Sequence, residues 1–175
     1  MLELTCVVCS GRGRASVERA HDTVQLSALS GRTIVPGSLN LVSSVPVFLD
    51  TRAAVYRNRH WCYFAARLAD RPVFINRWIG CPAHVFEIYS DRHLRSDLNL
   101  HDGSTINLCI SEESVQQNTP GMKTMLTWLL CWRGREKWYY SQNTYHHLMT
   151  STLRRRNWRA SQQDAPIAQR ASPGA

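Results

Sequence analysis

The chain has 175 residues with 43 % hydrophobic and 19 % charged side chains, and 21 basic against 13 acidic groups give a formal charge of +8. That composition excludes a disordered, self-repelling chain, and the length suits one domain with an extension. No apolar run, Met125 to Trp132 included, approaches the roughly 20 residues that cross a bilayer, and the N-terminus lacks the charged-then-apolar order of a leader. A cytoplasmic protein with no membrane span is expected.

Leu4 to Val8 reads as a strand, and residues three apart on a strand face opposite ways. The thiols of the Cys6-x-x-Cys9 pair should therefore diverge instead of chelating, and with Cys62, Cys81, Cys109 and Cys131 scattered, all six cysteines are expected to be reduced. A glycine-bearing loop, Ser10 to Ser16, follows. The turn Pro36-Gly37 leads into a strand at Ser38 to Val42, and further apolar runs at Val45 to Leu49, Trp61 to Leu68, Val73 to Ile75, Val85 to Tyr89 and Thr105 to Ile110 predict more. Short strands at this spacing point to a mainly β fold, a small closed barrel. A short helix is expected at Asp91 to Leu98, capped by Ser90 or Asp91, with His101-Asp102-Gly103 turning into the last strand.

After Ile110 the period changes from two to that of a helix. Thr119 as N-cap and Pro120 in the first turn precede Met122, Met125, Leu126, Leu129 and Leu130, before Gly134. This predicts an amphipathic helix packed on the barrel by its apolar stripe. The aromatic segment Trp138 to Met149 would continue that packing, and residues from about Ala160 read as a frayed tail. The expected division is a barrel over 1–110, a helical basic extension over 111–159 and a disordered tail over 160–175.

The charge divides unevenly: residues 1–110 carry 12 basic and 9 acidic side chains, residues 111–175 carry 9 and 4. Most of the basic residues are arginine, whose planar fork matches phosphate oxygens, so nucleotide, nucleic acid and acidic lipid all suit the chain. The cluster Arg154-Arg155-Arg156 with Trp158 and Arg159 reads either as a solvated helix end or as a basic, stacking nucleic-acid contact.

Four sets of residues carry candidate chemistry. Gly11 and Gly13 would let backbone N–H groups approach a phosphate beside Arg12 and Arg14, or would simply make a turn. Ser38 and Asn40 stand two apart, so their oxygens share a strand face, which suits Mg²⁺ as well as an ordinary strand start. Glu87, within Val85-Phe86-Glu87-Ile88-Tyr89, either faces outward or meets a partner or a ligand cavity. Arg92 and Arg95 would share one face of the short helix.

The segments Gly11 to Ser16, Gly37-Ser38-Leu39-Asn40, Glu87 to Arg95 and Asn99 to Gly103 together resemble the archaeal CTP-dependent riboflavin kinases over about residues 5–110. The resemblance implies a cradle-loop β-barrel that moves the terminal phosphate of CTP onto a ribityl hydroxyl of riboflavin. It implies nucleotide binding by Gly11, Arg12, Gly13, Arg14, Ala15 and Ser16 and by Arg92, His93, Leu94 and Arg95. It also implies Mg²⁺ on Ser38 and Asn40, and Glu87 at the flavin and its reacting hydroxyl. Ile79 falls where the family has a flavin-binding threonine, so either the small-molecule acceptor is not riboflavin, or Cys81 or His84 replaces the contact. A barrel that binds a ligand without catalysis is the competing reading.

Overall fold

The computed structural model describes residues 1–11, 15, 19–78, 80–116, 121–134 and 138–141. Seven strands are joined in one antiparallel sheet: β1 (Leu2–Cys9), β2 (Leu39–Ser43), β3 (Tyr56–Arg57), β4 (Trp61–Leu68), β5 (Arg71–Trp78), β6 (Val85–Tyr89) and β7 (Thr105–Ile110). Their order is β3-β4-β5-β6-β2-β1-β7, and β7 returns to pair with β4 through Ala66↔Ile110 and Leu68↔Leu108. Six strands thus close into a barrel with β3 appended to β4, which leaves few unpaired edges. The protein is mainly β, as its strand spacing predicts.

Strand alternation decides what fills the barrel. Phe64, Ala66 and Leu68 of β4 enter the same buried cluster as Leu39 and Leu41 of β2 and Ile106, Leu108 and Ile110 of β7. Cys6 belongs to this interior, whereas Cys9 packs outside with Val42 and Val85. The two thiols therefore sit on opposite faces, and burial pushes the Cys6 thiol up to about 12.

The outer face of the sheet is covered as well, which is why all five residues of β2 are buried. Over one part lies α1 (Ala20–Ser30), with Leu26 among Ile34, Tyr63, Phe74 and Tyr89. Over another lie α3 (Met122–Cys131) and α4 (Trp138–Ser141), with Trp132 and Tyr139 against Trp78 and Val85. The short α2 (Leu94–Asp97) precedes β7.

Four expectations are corrected. Val45 to Leu49 is not a strand: Pro46 has no N–H to give a ladder, Val47 plugs into the barrel cluster, and among the described residues the segment makes one bridge, Leu49↔Val115. The helix expected at Asp91 to Leu98 is shorter, because Asp91 pairs with Arg32 at 3.1 Å and the helix begins only at Leu94. Arg92 and Arg95 therefore do not share a helix face. The stripe expected to pack α3 on the barrel points away, with Leu126, Leu129 and Leu130 exposed while Trp128, Cys131 and Trp132 make the contact. Thr119 and Pro120 lie outside the described residues, and Gly121 stands at the N-cap.

Candidate functional site

Strand register assembles a polar row that no single segment contains. Cys9 of β1 is opposite Asn40 of β2, Asn40 is opposite Glu87 of β6, Glu87 is opposite Asn76 of β5, and Asn76 is opposite Tyr63 of β4. Each directly follows a residue of the barrel cluster, Val8, Leu39, Phe86, Ile75 or Cys62, so alternation turns all five to the outer face. The residue before β2, Ser38, reaches the same side, where its hydroxyl neighbours that of Tyr89.

Two described residues after β1, Gly11 and Ala15, touch this row or the cluster beside it. Gly11 abuts Asn40 so closely that a Cβ there would fall 2.9 Å from Asn40 Cγ. Ala15 packs against the Tyr63, Phe74 and Tyr89 cluster, and its carbonyl accepts from Arg19 N at 3.1 Å. Arg19 is buried with its guanidinium 3.1 Å from the centroid of the Trp61 ring. Arg12, Gly13, Arg14 and Ser16 lie outside the described residues, as does Ile79.

Beside the row, Ser38, Arg92, His93, Leu94 and Arg95 line one cleft of about 230 Å³ together with Pro36 and Gly37. Two of the segments singled out in the sequence thus meet. Arg92 and His93 are exposed at its mouth, and Arg92 comes no closer than 3.7 Å to Asp97. Leu94 is buried in the barrel cluster, so it offers the cleft mainly its backbone. Arg95 is a strut: its guanidinium donates to the Cys9 carbonyl at 2.8 Å and to Asp102 at 2.7 Å. The Ser10 hydroxyl donates to the other Asp102 oxygen, and Gly103 N donates to Val8 O at 2.9 Å, which fixes the end of β1 against the turn before β7.

Glu87 is half-buried, with Phe86 and Ile88 on either side inside the barrel. The hydroxyl of Tyr140 is buried near it, and desolvation followed by the Glu87 charge raises that phenol well above its ordinary pKa. Of the two side chains suggested in place of the family's threonine, Cys81 is half-buried and His84 is shielded from solvent. His84 is fully buried with its ring 5.1 Å from that of Trp132. The Cys81 thiol is pushed up to about 11 by burial, against the pull of Arg77, and is therefore a neutral thiol.

Among the described residues no three His, Cys, Asp or Glu side chains cluster as metal ligands. Ser38 and Asn40 offer a hydroxyl and an amide oxygen on one face, the kind of donor that a hard cation such as Mg²⁺ takes from a protein. Sequence reading did not single out Asn76, Tyr89 or Tyr140 as functional, although alternation along β5 already puts Asn76 on the face of Trp78. No helix among the described residues is long and apolar enough to cross a membrane. The chain matches no protein-family profile and no protein of curated function.

Proposed function

We propose that the protein is a metal-dependent phosphotransferase that passes the terminal phosphate of CTP, or another nucleoside triphosphate, to a hydroxyl of a small acceptor. The observation that carries this reading is the position of Asn40, wedged between Gly11 and Glu87 while Ser38, on the same face, opens onto the Arg92–Arg95 cleft. Phosphoryl transfer needs little covalent help from a protein; it needs alignment and charge stabilisation.

In this reading the cleft and the glycine segment bind the nucleotide, Arg92 meets phosphate charge, and Ser38 and Asn40 are the residues that would hold Mg²⁺. The bound cation would supply charge neutralisation on the phosphate oxygens. Glu87 is set one strand away from Asn40, suited to take the proton of the acceptor hydroxyl as its oxygen bonds to phosphorus and the nucleoside diphosphate leaves. Arg95 acts by bracing the end of β1 instead of by touching phosphate.

Calorimetric titration of CTP with and without Mg²⁺ is the test. Each is expected to tighten the other, and Asn40→Ala should remove that synergy, weakening the Mg²⁺-dependent part by about tenfold or more, ~1.4 kcal/mol, with the circular dichroism unchanged. Glu87→Gln should lower transfer of the labelled γ-phosphate to the acceptor without loosening CTP. Equal CTP affinity under all conditions would exclude the reading; tight Mg²⁺-dependent binding with no transfer to any acceptor would make the barrel a binding module.

A further inference from the structure

The helix α3 buries one face and shows the other. Trp128, Cys131 and Trp132 stand at i, i+3 and i+4 and pack over the barrel beside Trp78 and Val85. Leu126, Leu129 and Leu130 repeat that spacing two residues earlier, about 200° round the helix, and are 46 %, 43 % and 74 % exposed. Exposed apolar side chains are ordinary when they are scattered, as Met1, Val24, Val45 and Val55 are here. A contiguous row of leucines on one helix face is different, and marks a surface that something covers. The exposed Arg133, at i+7 from Leu126, ends the row before Gly134 turns left-handed at φ 75°.

The charge around the leucines says what the cover is. Residues 115–163 carry eight basic side chains and one acidic, Glu136. More positive charge lies close by in space. The turn from β3 to β4 exposes Arg57, Arg59 and His60, and the next residue, Trp61, connects to the end of α3 through a chain of rings: Trp78 at 6.1 Å, Tyr139 at 5.8 Å and Trp132 at 6.1 Å. A second copy set leucine on leucine would bring these like charges together. The helix, 10 residues and so about 15 Å long, also covers far less than the roughly 800 Å² per partner of a stable protein interface. Nucleic acid would use the arginines and leave the leucines in water. A surface apolar beneath and negative on top uses both, and that is the interface of a bilayer containing acidic lipid. At this length α3 can lie in the interface but cannot cross a hydrocarbon core of about 30 Å.

We propose that the Leu126, Leu129 and Leu130 face of α3 is a docking surface for acidic membranes, with the leucines entering the acyl boundary and Arg133 meeting lipid phosphate. Trp128 and Trp132, packed over the barrel on the opposite side of the helix, tie the barrel to the lipid-bound face. Neither the Arg92–Arg95 cleft nor Glu87 takes part, so membrane docking and phosphotransfer are independent of each other.

Flotation of the full chain with two kinds of vesicle, phosphatidylcholine alone and phosphatidylcholine mixed with phosphatidylserine, reads the affinity. The mixed vesicles are expected to bind about tenfold tighter or more, and the gain should shrink as added salt screens the charges. Leu126→Gln combined with Leu130→Gln should weaken binding to the mixed vesicles by about tenfold or more. The urea midpoint of the lipid-free protein should stay where it is, since both side chains already meet water. The comparison of the two vesicles needs no variant and stands even if the double substitution fails to fold. Binding to the mixed vesicles that is unchanged by the two glutamines would reduce the contact to charge adsorption and overturn the docking of α3. Equal affinity for both vesicles would overturn the role of acidic lipid. Binding to neither vesicle would overturn the proposal outright; a dimer in light scattering that the double variant loses would then give the leucines to a second copy, and tight binding of a DNA duplex would give the basic residues to nucleic acid.

Discussion

A methyl group at position 11 has nowhere to go while Asn40 keeps its place, since the Asn40 amide fills the space where a Cβ would stand. Either the amide turns away, or the end of β1 shifts against the Arg95 brace. Gly11→Ala is therefore expected to cost ~1–3 kcal/mol of stability, the usual range for an overpacked contact, and to weaken Mg²⁺-dependent CTP binding in the same direction as Asn40→Ala. Urea unfolding and calorimetry check the two parts; unchanged values in both would mean that Asn40 has room to spare. The sequence made Asn40 visible by its spacing from Ser38, and Glu87 by its apolar neighbours, which left its face open. Asn76 was not visible. Val73 to Ile75 reads as a buried strand, and nothing in one dimension says that Glu87 and Tyr63 lie on either side of the next residue.

The link between β1 and the turn before β7 combines backbone bonds, Gly103 N to Val8 O and Val8 N to Ser104 O, with side-chain contacts to Asp102. The Ser10 hydroxyl, and then the Arg95 guanidinium, hold the Asp102 carboxyl below its ordinary 3.8. A carboxyl lowered in the folded state contributes stability that is complete above the unfolded value and is lost as pH falls through the folded one. Asp102 is about half exposed, so solvent screening limits the gain to under ~1 kcal/mol. Asp102→Asn should lower the urea midpoint slightly near neutral pH, and its deficit should shrink as the pH falls below 3.8. A deficit that stays constant on acidification would show that the carboxylate charge plays no part. At this scale the helix α1 escaped the sequence for a physical reason: its buried face carries Asp22 and Thr23 with the single apolar Leu26, while Val24 and Leu29 are exposed, the inverse of an amphipathic stripe. Gly31, left-handed at φ 67°, closes α1, and a glycine after that run is the sequence signal of its end.

Closure of the barrel ties chain ends that are far apart, because β4 accepts β7 at its last residues and β7 carries β1 on its other side. The strands at Trp61 to Leu68, Val85 to Tyr89 and Thr105 to Ile110 were legible to the residue as short apolar runs, and the last also alternates cleanly between buried and more exposed positions. Which strands meet was legible only as a fold class. The packing of α3 was misjudged because its two faces are both apolar: Trp128 and Trp132 compete with Leu126, Leu129 and Leu130, and the aromatic pair, with more area to bury, takes the barrel. A pair of leucines tests this arrangement. Leu68 is fully buried at the closing register opposite Leu108, so Leu68→Ala leaves a cavity that the surrounding strands cannot collapse. It should cost ~2–5 kcal/mol in chemical unfolding. Leu130 is 74 % exposed, and Leu130→Ala should stay within about 0.5 kcal/mol of the unmodified protein. A large loss at Leu130 would mean that the stripe on α3 is covered in solution, while a small loss at Leu68 would mean that β4 and β7 part without opening the core.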